Sequence, residues 1–288
     1  MRGYITSAAA AALVTMVASA ATSLEWPVAD PWLELSFGER WGETISRGVR
    51  LRSPLATVSA VSDGEAIFVR SGAGASLPAS LGGLVVVAHA GGLLSVYAPL
   101  APSFDPVVDG PAVEMGDQLG EVIAMTDEPL LHFSLHDAPR RAAVNPATLL
   151  PSLGSHPRPA IADVRVVPAT TPPSAGAYHV EVVVGERAGG PPPYRAELLV
   201  DGRAERVITF DSLVTYERAI VALSDGETPA EAVVPTRRVL RFVNITLRNG
   251  ERHLTVVLSN ISGDSVVRDE VVAIGTTDIG ATDKENPE

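Results

Sequence analysis

The stretch that decides the fold runs from Leu84 to Pro146. It reads LVVVAHAGGLLSVYAPL over 84–100, VEMGDQLGEV over 113–122, EPLLHFSLH over 128–136 and VNP over 144–146. Short apolar runs separated by turn residues are typical of β-strands, and the sustained 3.6-residue periodicity of a helix is missing. The stretch therefore predicts a β domain.

The same pattern of short apolar runs continues on both sides of this stretch and predicts an all-β protein. A Pro-rich segment, PSLGSHPRP over 151–159, has the composition of a semi-rigid linker. It predicts a domain over 25–150, a linker over 151–160 and a second domain over 161–275. The predicted strands are 55–61, 66–69, 84–88, 93–97, 118–124 and 130–135 before the linker, and 161–167, 178–184, 194–200, 206–210, 218–223, 239–247, 253–258 and 265–274 after it.

The second region has the regular strand spacing of a β-sandwich. Asn249-Gly250 tolerates positive φ and predicts a hairpin between Leu247 and His253. The turn Ser-Asn-Ile-Ser-Gly-Asp predicts a second, closing hairpin within 250–274, and that hairpin resembles the last one of immunoglobulin-like or fibronectin-like domains. The polar, acidic residues 276–288 predict a disordered tail.

Residues 1–24 have the order of a secretory signal peptide. Met1-Arg2 is followed by an uncharged apolar stretch that ends in Ala-Ser-Ala, which predicts cleavage after Ala20. The alternative is an uncleaved anchor, because about 20 apolar residues span a bilayer. Either way the sequence predicts export to the periplasm or cell envelope, and a mature form that does not span the membrane.

The composition of the 288-residue chain excludes several classes. It contains no cysteine, and its 34 Asp and Glu outnumber its 22 Lys and Arg, for a formal charge of −12. Without cysteine there is no disulfide, thiol nucleophile or Cys-ligated zinc. The acidic balance argues against a nucleic-acid partner, which would require a basic face.

Taken in order, the motifs between Trp26 and Leu150 resemble the lysostaphin/LytM-type zinc endopeptidases, which hydrolyse bacterial peptidoglycan. That family has a Ser-x-Phe-Gly-x-Arg opening, Val-x-Ala-x-x-Asp-Gly, Tyr-Ala-His-Leu, Gly-Gln-x-Ile-Gly, His-Leu-His-Phe and Asn-Pro. Here the corresponding stretches are SFGER over 36–40, VSAVSDG over 58–64, YAPL over 97–100, GDQLG over 116–120, LLHF over 130–133 and Asn145-Pro146. The resemblance implies an antiparallel β domain of the duplicated-hybrid-motif type with a groove across one sheet.

The family's functional positions are mostly replaced. In the family, zinc is held by the His and Asp of His-x-Gly-x-Asp and by the second His of His-x-His, while two further His serve catalysis. Here the ligand positions hold Ser46, Arg50 and His132, and the catalytic positions hold Pro99 and Leu130. Arginine is permanently cationic and offers no lone pair. Leu and Pro have no proton to exchange, so neither catalysis nor a zinc cofactor is expected.

Other side chains give little support for a replacement zinc site. His136 shares a strand face with His132 but lies about 13 Å away along an extended strand, and His89 resembles a family histidine that is not a ligand. Asp105, Asp109, Glu114 and Asp117 form an acidic cluster, which indicates a solvated face or, alternatively, a calcium site.

Arg47, Arg50 and Arg52 also have two interpretations. They indicate an exposed strand edge, where positive charge discourages aggregation, or alternatively a basic groove lining for peptide carboxylates.

The sequence therefore predicts a non-catalytic peptidase-like protein that regulates or scaffolds cell-wall remodelling. The expected partner is a cell-wall hydrolase, another envelope protein or a peptidoglycan peptide, and the expected groove residues are Ser46, Arg50, Pro99, Leu130 and His132. Two alternatives are an active zinc endopeptidase and a structural or adhesive envelope protein. A third, a lipoyl-type carrier suggested by 113–122, lacks the central modifiable lysine.

Overall fold

The structure is a computed structural model, and it describes most of the chain. The described residues are 23–71, 82–103, 105, 110–123, 129–153, 158–170, 176–185, 193–216, 220–223, 225 and 228–275. Nearly all of the predicted signal segment, and the whole predicted tail over 276–288, lie outside them. Within these ranges, no helix has the length and apolar character needed to cross a membrane.

The first region is built from short antiparallel strands. Two three-residue 3₁₀ turns, Ala90–Gly92 and Pro146–Thr148, accompany them. The strands are β1 (Trp32–Leu35), β2 (Arg40–Trp41), β3 (Thr44–Ile45), β4 (Val49–Arg52), β5 (Thr57–Ser59), β6 (Gly64–Arg70), β7 (Gly83–Ala88), β8 (Leu93–Pro102), β9 (Ala112–Val113), β10 (Gln118–Val122), β11 (Leu130–Asp137) and β12 (Ala142–Val144).

The second region continues with strands and one short helix, α1 (Ala230–Val233). Its strands are β13 (Ile161–Pro168), β14 (Ala177–Val184), β15 (Arg195–Val200), β16 (Arg203–Thr209), β17 (Ser212–Tyr216), β18 (Ile220–Leu223), β19 (Val239–Thr246), β20 (Gly250–Ser259) and β21 (Ser265–Ile274). The all-β, antiparallel fold expected from the apolar pattern is confirmed.

Strand β11 is the centre of the largest sheet, whose main path runs β18-β17-β12-β11-β8-β7-β6-β9. One side of β11 pairs with β8 along most of its length, and the other side pairs first with β4 and then with β12. Because side chains alternate between faces of a strand, Leu131, Phe133 and Leu135 are buried in the core while His132 and His136 lie on the opposite face. Burying a side chain the size of Phe133 stabilises the fold by about 1.5–3 kcal/mol.

The second region forms two further antiparallel sheets, of order β13-β14-β19 and β16-β15-β20-β21. Their buried faces contribute Val180 and Phe242 from the first of these sheets, and Leu198 and Leu254 from the second, to one apolar core. Two antiparallel sheets with alternating burial are the arrangement expected from the strand spacing. The finer immunoglobulin-like assignment stays a prediction.

The predicted hairpin at Asn249-Gly250 is wrong. Strand β19 pairs with β14, whereas β20 pairs with β15 and β21, so this turn carries the chain from one sheet to another. The guanidinium of Arg252 donates to the carbonyls of Arg248 and Asn249 and closes the turn without strand pairing. The second predicted hairpin, β20–β21, is confirmed, with Ser259 opposite Ser265.

Strands β17 and β18 leave the second region and extend the first region's sheet, since β17 pairs with β12. Asn145 fixes this junction, because its Nδ2 donates to the Phe210 carbonyl at 2.8 Å and its backbone N–H donates to the Asp211 carbonyl. The Phe210 ring packs on Gly38, where an added Cβ would lie 2.4 Å from a ring carbon. Two motifs of the sequence, SFG and Asn-Pro, therefore hold the two regions together.

Candidate functional site

The candidate site lies on the outer face of β4, β11 and β8. His132 of β11 lies directly opposite Arg50 of β4 on one side and Ala98 of β8 on the other. Opposed residues of antiparallel strands have Cβ atoms about 4.5–5.5 Å apart. The aliphatic stem of the Arg50 side chain is therefore the immediate neighbour of the His132 side chain.

Gly48 lets the chain between β3 and β4 approach this face closely. An added Cβ at Gly48 would lie 2.4 Å from the Phe133 carbonyl oxygen and 3.2 Å from Cε1 of His132, so a side chain there would clash with the backbone of β11. Ser46 is buried, and its hydroxyl donates to the Gly48 carbonyl at 2.8 Å. That hydroxyl stabilises the approach of the loop.

Leu130 and Pro99 flank His132. Leu130 lies opposite Arg52 of β4, two residues before His132 on the same face of β11. Pro99 follows Ala98, and its carbonyl accepts a hydrogen bond from Ile123 N–H at 3.2 Å. The structure therefore groups Arg50, Leu130 and His132 on two adjacent strands, with Pro99 beside them and Ser46 reaching the group through Gly48.

The electrostatics of this face disfavour a cation. Burial, and then the nearby Arg50 and His136, lower the pKa of His132 below its ordinary value. Burial and the nearby Arg47 lower the pKa of His136 in the same direction. Both imidazoles are neutral at pH 7, but a guanidinium about 4 Å from a divalent ion would repel it by roughly 8 kcal/mol at an effective dielectric constant of 20.

The remaining histidines of the region do not complete a metal site. Nε2 of His136 lies 2.9 Å from the Ser134 hydroxyl. His89 uses both ring nitrogens elsewhere, with Nδ1 2.9 Å from the Asp63 carbonyl and Nε2 2.7 Å from the Ser95 hydroxyl. Over the described part of the chain, no three His, Asp or Glu side chains converge as metal ligands would.

The interpretation of the arginines as an exposed strand edge is wrong, because β4 is paired on both sides, with β1 and β11. The three side chains diverge instead. Arg47 donates to the Thr215 hydroxyl at 3.2 Å, and Arg52 pairs with Glu34 at 2.8 Å. Arg50 stacks on Trp41, with its Cζ 3.1 Å from the centre of the ring.

The acidic cluster is only partly described, since Asp109 lies outside the described residues. Asp117 accepts a hydrogen bond from Glu114 N–H at 2.8 Å, and Asp63 accepts one from Met115 N–H at 2.7 Å. These carboxylates therefore stabilise a turn between β9 and β10.

A cavity of about 500 Å³ borders the site, and most of the residues that line it were not predicted from the sequence. Trp41 lies on the hairpin formed by β2 and β3, while Thr236 and Arg237 come from the second region. Arg40 had a sequence signal, since it ends the SFGER motif, but Trp41 and Arg237 had none. The lining residues are Glu34, Leu35, Arg40, Trp41, Gly42, Glu43, Arg50, Pro235, Thr236 and Arg237.

Comparison with solved structures gives partial similarity to several proteins. Csd3 of Helicobacter pylori is 23% identical over 45% of this chain and 35% of its own, with a TM-score of 0.36. SpoIIQ in the SpoIIQ–SpoIIIAH pore-forming complex is 21% identical over 45% and 91%, with a TM-score of 0.35. The antimicrobial peptidase lysostaphin of Staphylococcus simulans is 12% identical over 85% and 90%, with a TM-score of 0.35. The chain spans about a third of the length of Csd3.

Comparison with curated proteins gives no significant match. The sequence model of peptidase family M23 matches residues 44–146. The matched stretch begins at β3, ends at the Asn145-Pro146 junction, and contains Ser46, Arg50, Pro99, Leu130 and His132. Over residues 44–146, this chain is therefore similar to the domain of peptidase family M23.

Proposed function

We propose that this M23 domain binds a partner in the cell envelope and does not hydrolyse peptidoglycan. Its role is to regulate or scaffold cell-wall remodelling, after export to the periplasm or cell envelope. The observation that carries the proposal is the pairing of Arg50 with His132 on adjacent strands. A permanent cation stands where the family has a carboxylate ligand, beside the remaining ligand-type histidine.

The chemistry of the donor set supports this proposal. A catalytic zinc site keeps three protein ligands and an open water position. Ser46 commits its hydroxyl to the Gly48 carbonyl, and Arg50 offers no lone pair. His132 is left as the single zinc-ligand type among the family's three positions. The residues at these positions therefore do not fit a zinc ion.

The sheet around His132 provides the rigid surface that a binding site requires. The sheet that presents His132 is anchored by fully buried core residues such as Phe133 and Leu135. Rigid strands place binding residues more reproducibly than loops do. A peptidoglycan peptide and a loop of an envelope hydrolase are both extended segments of the kind that sheet surfaces bind.

The test is a paired assay on labelled peptidoglycan sacculi in zinc-containing buffer. We expect the protein to sediment with sacculi, or to capture a wall hydrolase from envelope extract, without releasing labelled fragments. Release of fragments that is lost in His132→Ala, and kept in the exposed control His253→Ala, would establish an active endopeptidase and overturn the proposal. Absence of both binding and release would instead favour a structural spacer.

A further inference from the structure

We propose that the cavity beside Arg50 is a binding site for a peptide carboxylate. The cavity lies where the hairpin β2–β3, strand β4 and residues 235–237 of the second region meet. The proposal names a ligand class for the binding role argued above and rests on that role. It replaces a metal site with an anion site at the same position of the sheet.

Arg50 is the cation that this cavity leaves available. Its guanidinium stacks on the Trp41 ring, which leaves the N–H groups at the guanidinium edge free to donate. In the described ranges, Arg50 forms no ion pair, although Glu34 is close enough to influence it electrostatically. Stacking on an aromatic ring holds the planar fork of Arg in place, and that fork matches a carboxylate with two parallel hydrogen bonds.

The other two arginines of the cavity are held in place by the protein. Arg40 donates to the carbonyls of Gly42 at 3.2 Å and Val234 at 3.3 Å. Arg237 pairs with Glu39 at 3.3 Å. Arg40 also pairs with Glu43 at 3.6 Å, so both of these arginines already have an acidic partner and do not compete with Arg50 for a ligand.

The two glutamates of the cavity do not cancel this charge at Arg50. Glu34 is paired with Arg52 at 2.8 Å, a contact that lowers the Glu34 pKa. Glu43 has a side chain that is 98% exposed, so solvent screens it. Three arginines and two glutamates line the cavity, which gives it a formal charge of +1.

The net charge of +1 and the apolar walls of the cavity together favour a ligand that has one negative charge and an apolar part. Leu35, Pro235 and the half-exposed Trp41 line the cavity beside the arginines. A dianionic phosphate would face the glutamates without using these apolar walls. A short peptide with one carboxylate uses both features, because its acid pairs with Arg50 and its aliphatic part covers Trp41.

The experiment is calorimetric titration of the full chain with two dipeptide probes that differ only in charge, and separately with inorganic phosphate. The probes are the dipeptide acetyl-Ala-Ala and the same dipeptide as its amide. We expect the acid to bind, the amide to bind at least about tenfold more weakly, and inorganic phosphate to bind no better than the amide. Arg50→Gln should lose the preference for the acid, and Arg50→Lys should recover only part of it.

Arg47→Gln is the matched control, because Arg47 lies on the same chain segment but outside this cavity. It should bind the acid like the unmodified protein, and far-ultraviolet circular dichroism should show that every variant folds. Equal binding of acid and amide, undiminished binding by Arg50→Gln, or no binding of the acid would each overturn the proposal. Tighter binding of phosphate would overturn its peptide class. Sedimentation with sacculi is a separate readout, so loss of this site leaves the envelope-binding role to be judged independently.

Discussion

Two polar regions of the same sheet differ sharply in how their side chains are used. The first, the relay, is formed by the half-exposed His89 beside β8 and by the buried Ser95 and Tyr97 on β8. Nδ1 of His89 lies 2.9 Å from the Asp63 carbonyl oxygen, and its Nε2 lies 2.7 Å from the Ser95 hydroxyl. The Ser95 and Tyr97 hydroxyls lie 2.9 Å apart, and Tyr97 also accepts from Val61 N–H.

The second region is the site face of Arg50 and His132, where two cation-capable side chains face each other without a carboxylate between them. The relay keeps residue types that resemble the M23 family and uses every polar atom to hold the sheet together. The site face has Arg50 and His132 at positions where the resemblance to the family implies zinc ligands. The contrast supports the proposal that this sheet binds a partner and does not hold a catalytic metal.

The largest expected effect concerns the core that both regions share. Phe133→Ala removes a fully buried ring that packs against Tyr97 with centroids 5.4 Å apart. We expect a loss of about 3–5 kcal/mol in the free energy of unfolding, measured by urea denaturation. Leu130→Ala, on the partly exposed site face of the same strand, should cost less than half as much. An equal loss for both would show that the two faces are not distinct.

The relay gives the next largest effect. Tyr97→Phe keeps the ring but removes the acceptor of Val61 N–H and one of the two partners of the Ser95 hydroxyl, which should cost about 1–3 kcal/mol of unfolding free energy. Burial raises the Tyr97 pKa to about 12, so the phenol stays protonated at neutral pH. Denaturation of Tyr97→Phe, Ser95→Ala and the double variant should reveal non-additivity. Strict additivity would contradict a coupled relay.

The pH dependence of stability probes the site face. Because the pKa of His132 is lowered in the folded state, the unfolded chain binds its proton first as pH falls below the ordinary value of 6.5. The free energy of unfolding should therefore decrease from about pH 6.5 downward until the folded-state pKa is passed. His132→Gln should flatten this decrease. Leu131→Ala is the control, because it removes no titratable group and should lower the free energy of unfolding by a similar amount at every pH. If Leu131→Ala flattened the pH dependence as much as His132→Gln, the decrease could not be assigned to His132.

The smallest expected effect on stability is that of Arg50→Gln. The side chain is partly exposed and loses only its stack on Trp41, a contact of about 0.5–1 kcal/mol. Removing the cation also relieves His132, whose pKa should rise, as proton NMR of the imidazole would show. A large loss of stability, with no change in the His132 titration, would mean that Arg50 serves the fold and not the site.

The sequence predicted much of the sheet but little of the cavity. Alternation of apolar residues placed β7, β8, β10 and β11 correctly, because each strand buries one face. The hairpin predicted at Asn249-Gly250 is wrong because positive φ at Gly250 permits a change of sheet as readily as a hairpin. The stack of Trp41 on Arg50, and the approach of Arg237, depend on contacts between distant segments that no local pattern encodes.

The zinc content of the purified protein decides whether residues 44–146 hold a catalytic metal site. The purified chain is incubated with zinc, dialysed and analysed for bound metal, beside a variant that carries Ser46→His together with Arg50→Asp. We expect the unmodified chain to retain far less than one zinc per molecule, and the double variant to gain affinity by restoring a three-ligand set with His132. Near-stoichiometric zinc in the unmodified chain that is lost in His132→Ala would show that this sheet holds a metal site, contrary to the proposal.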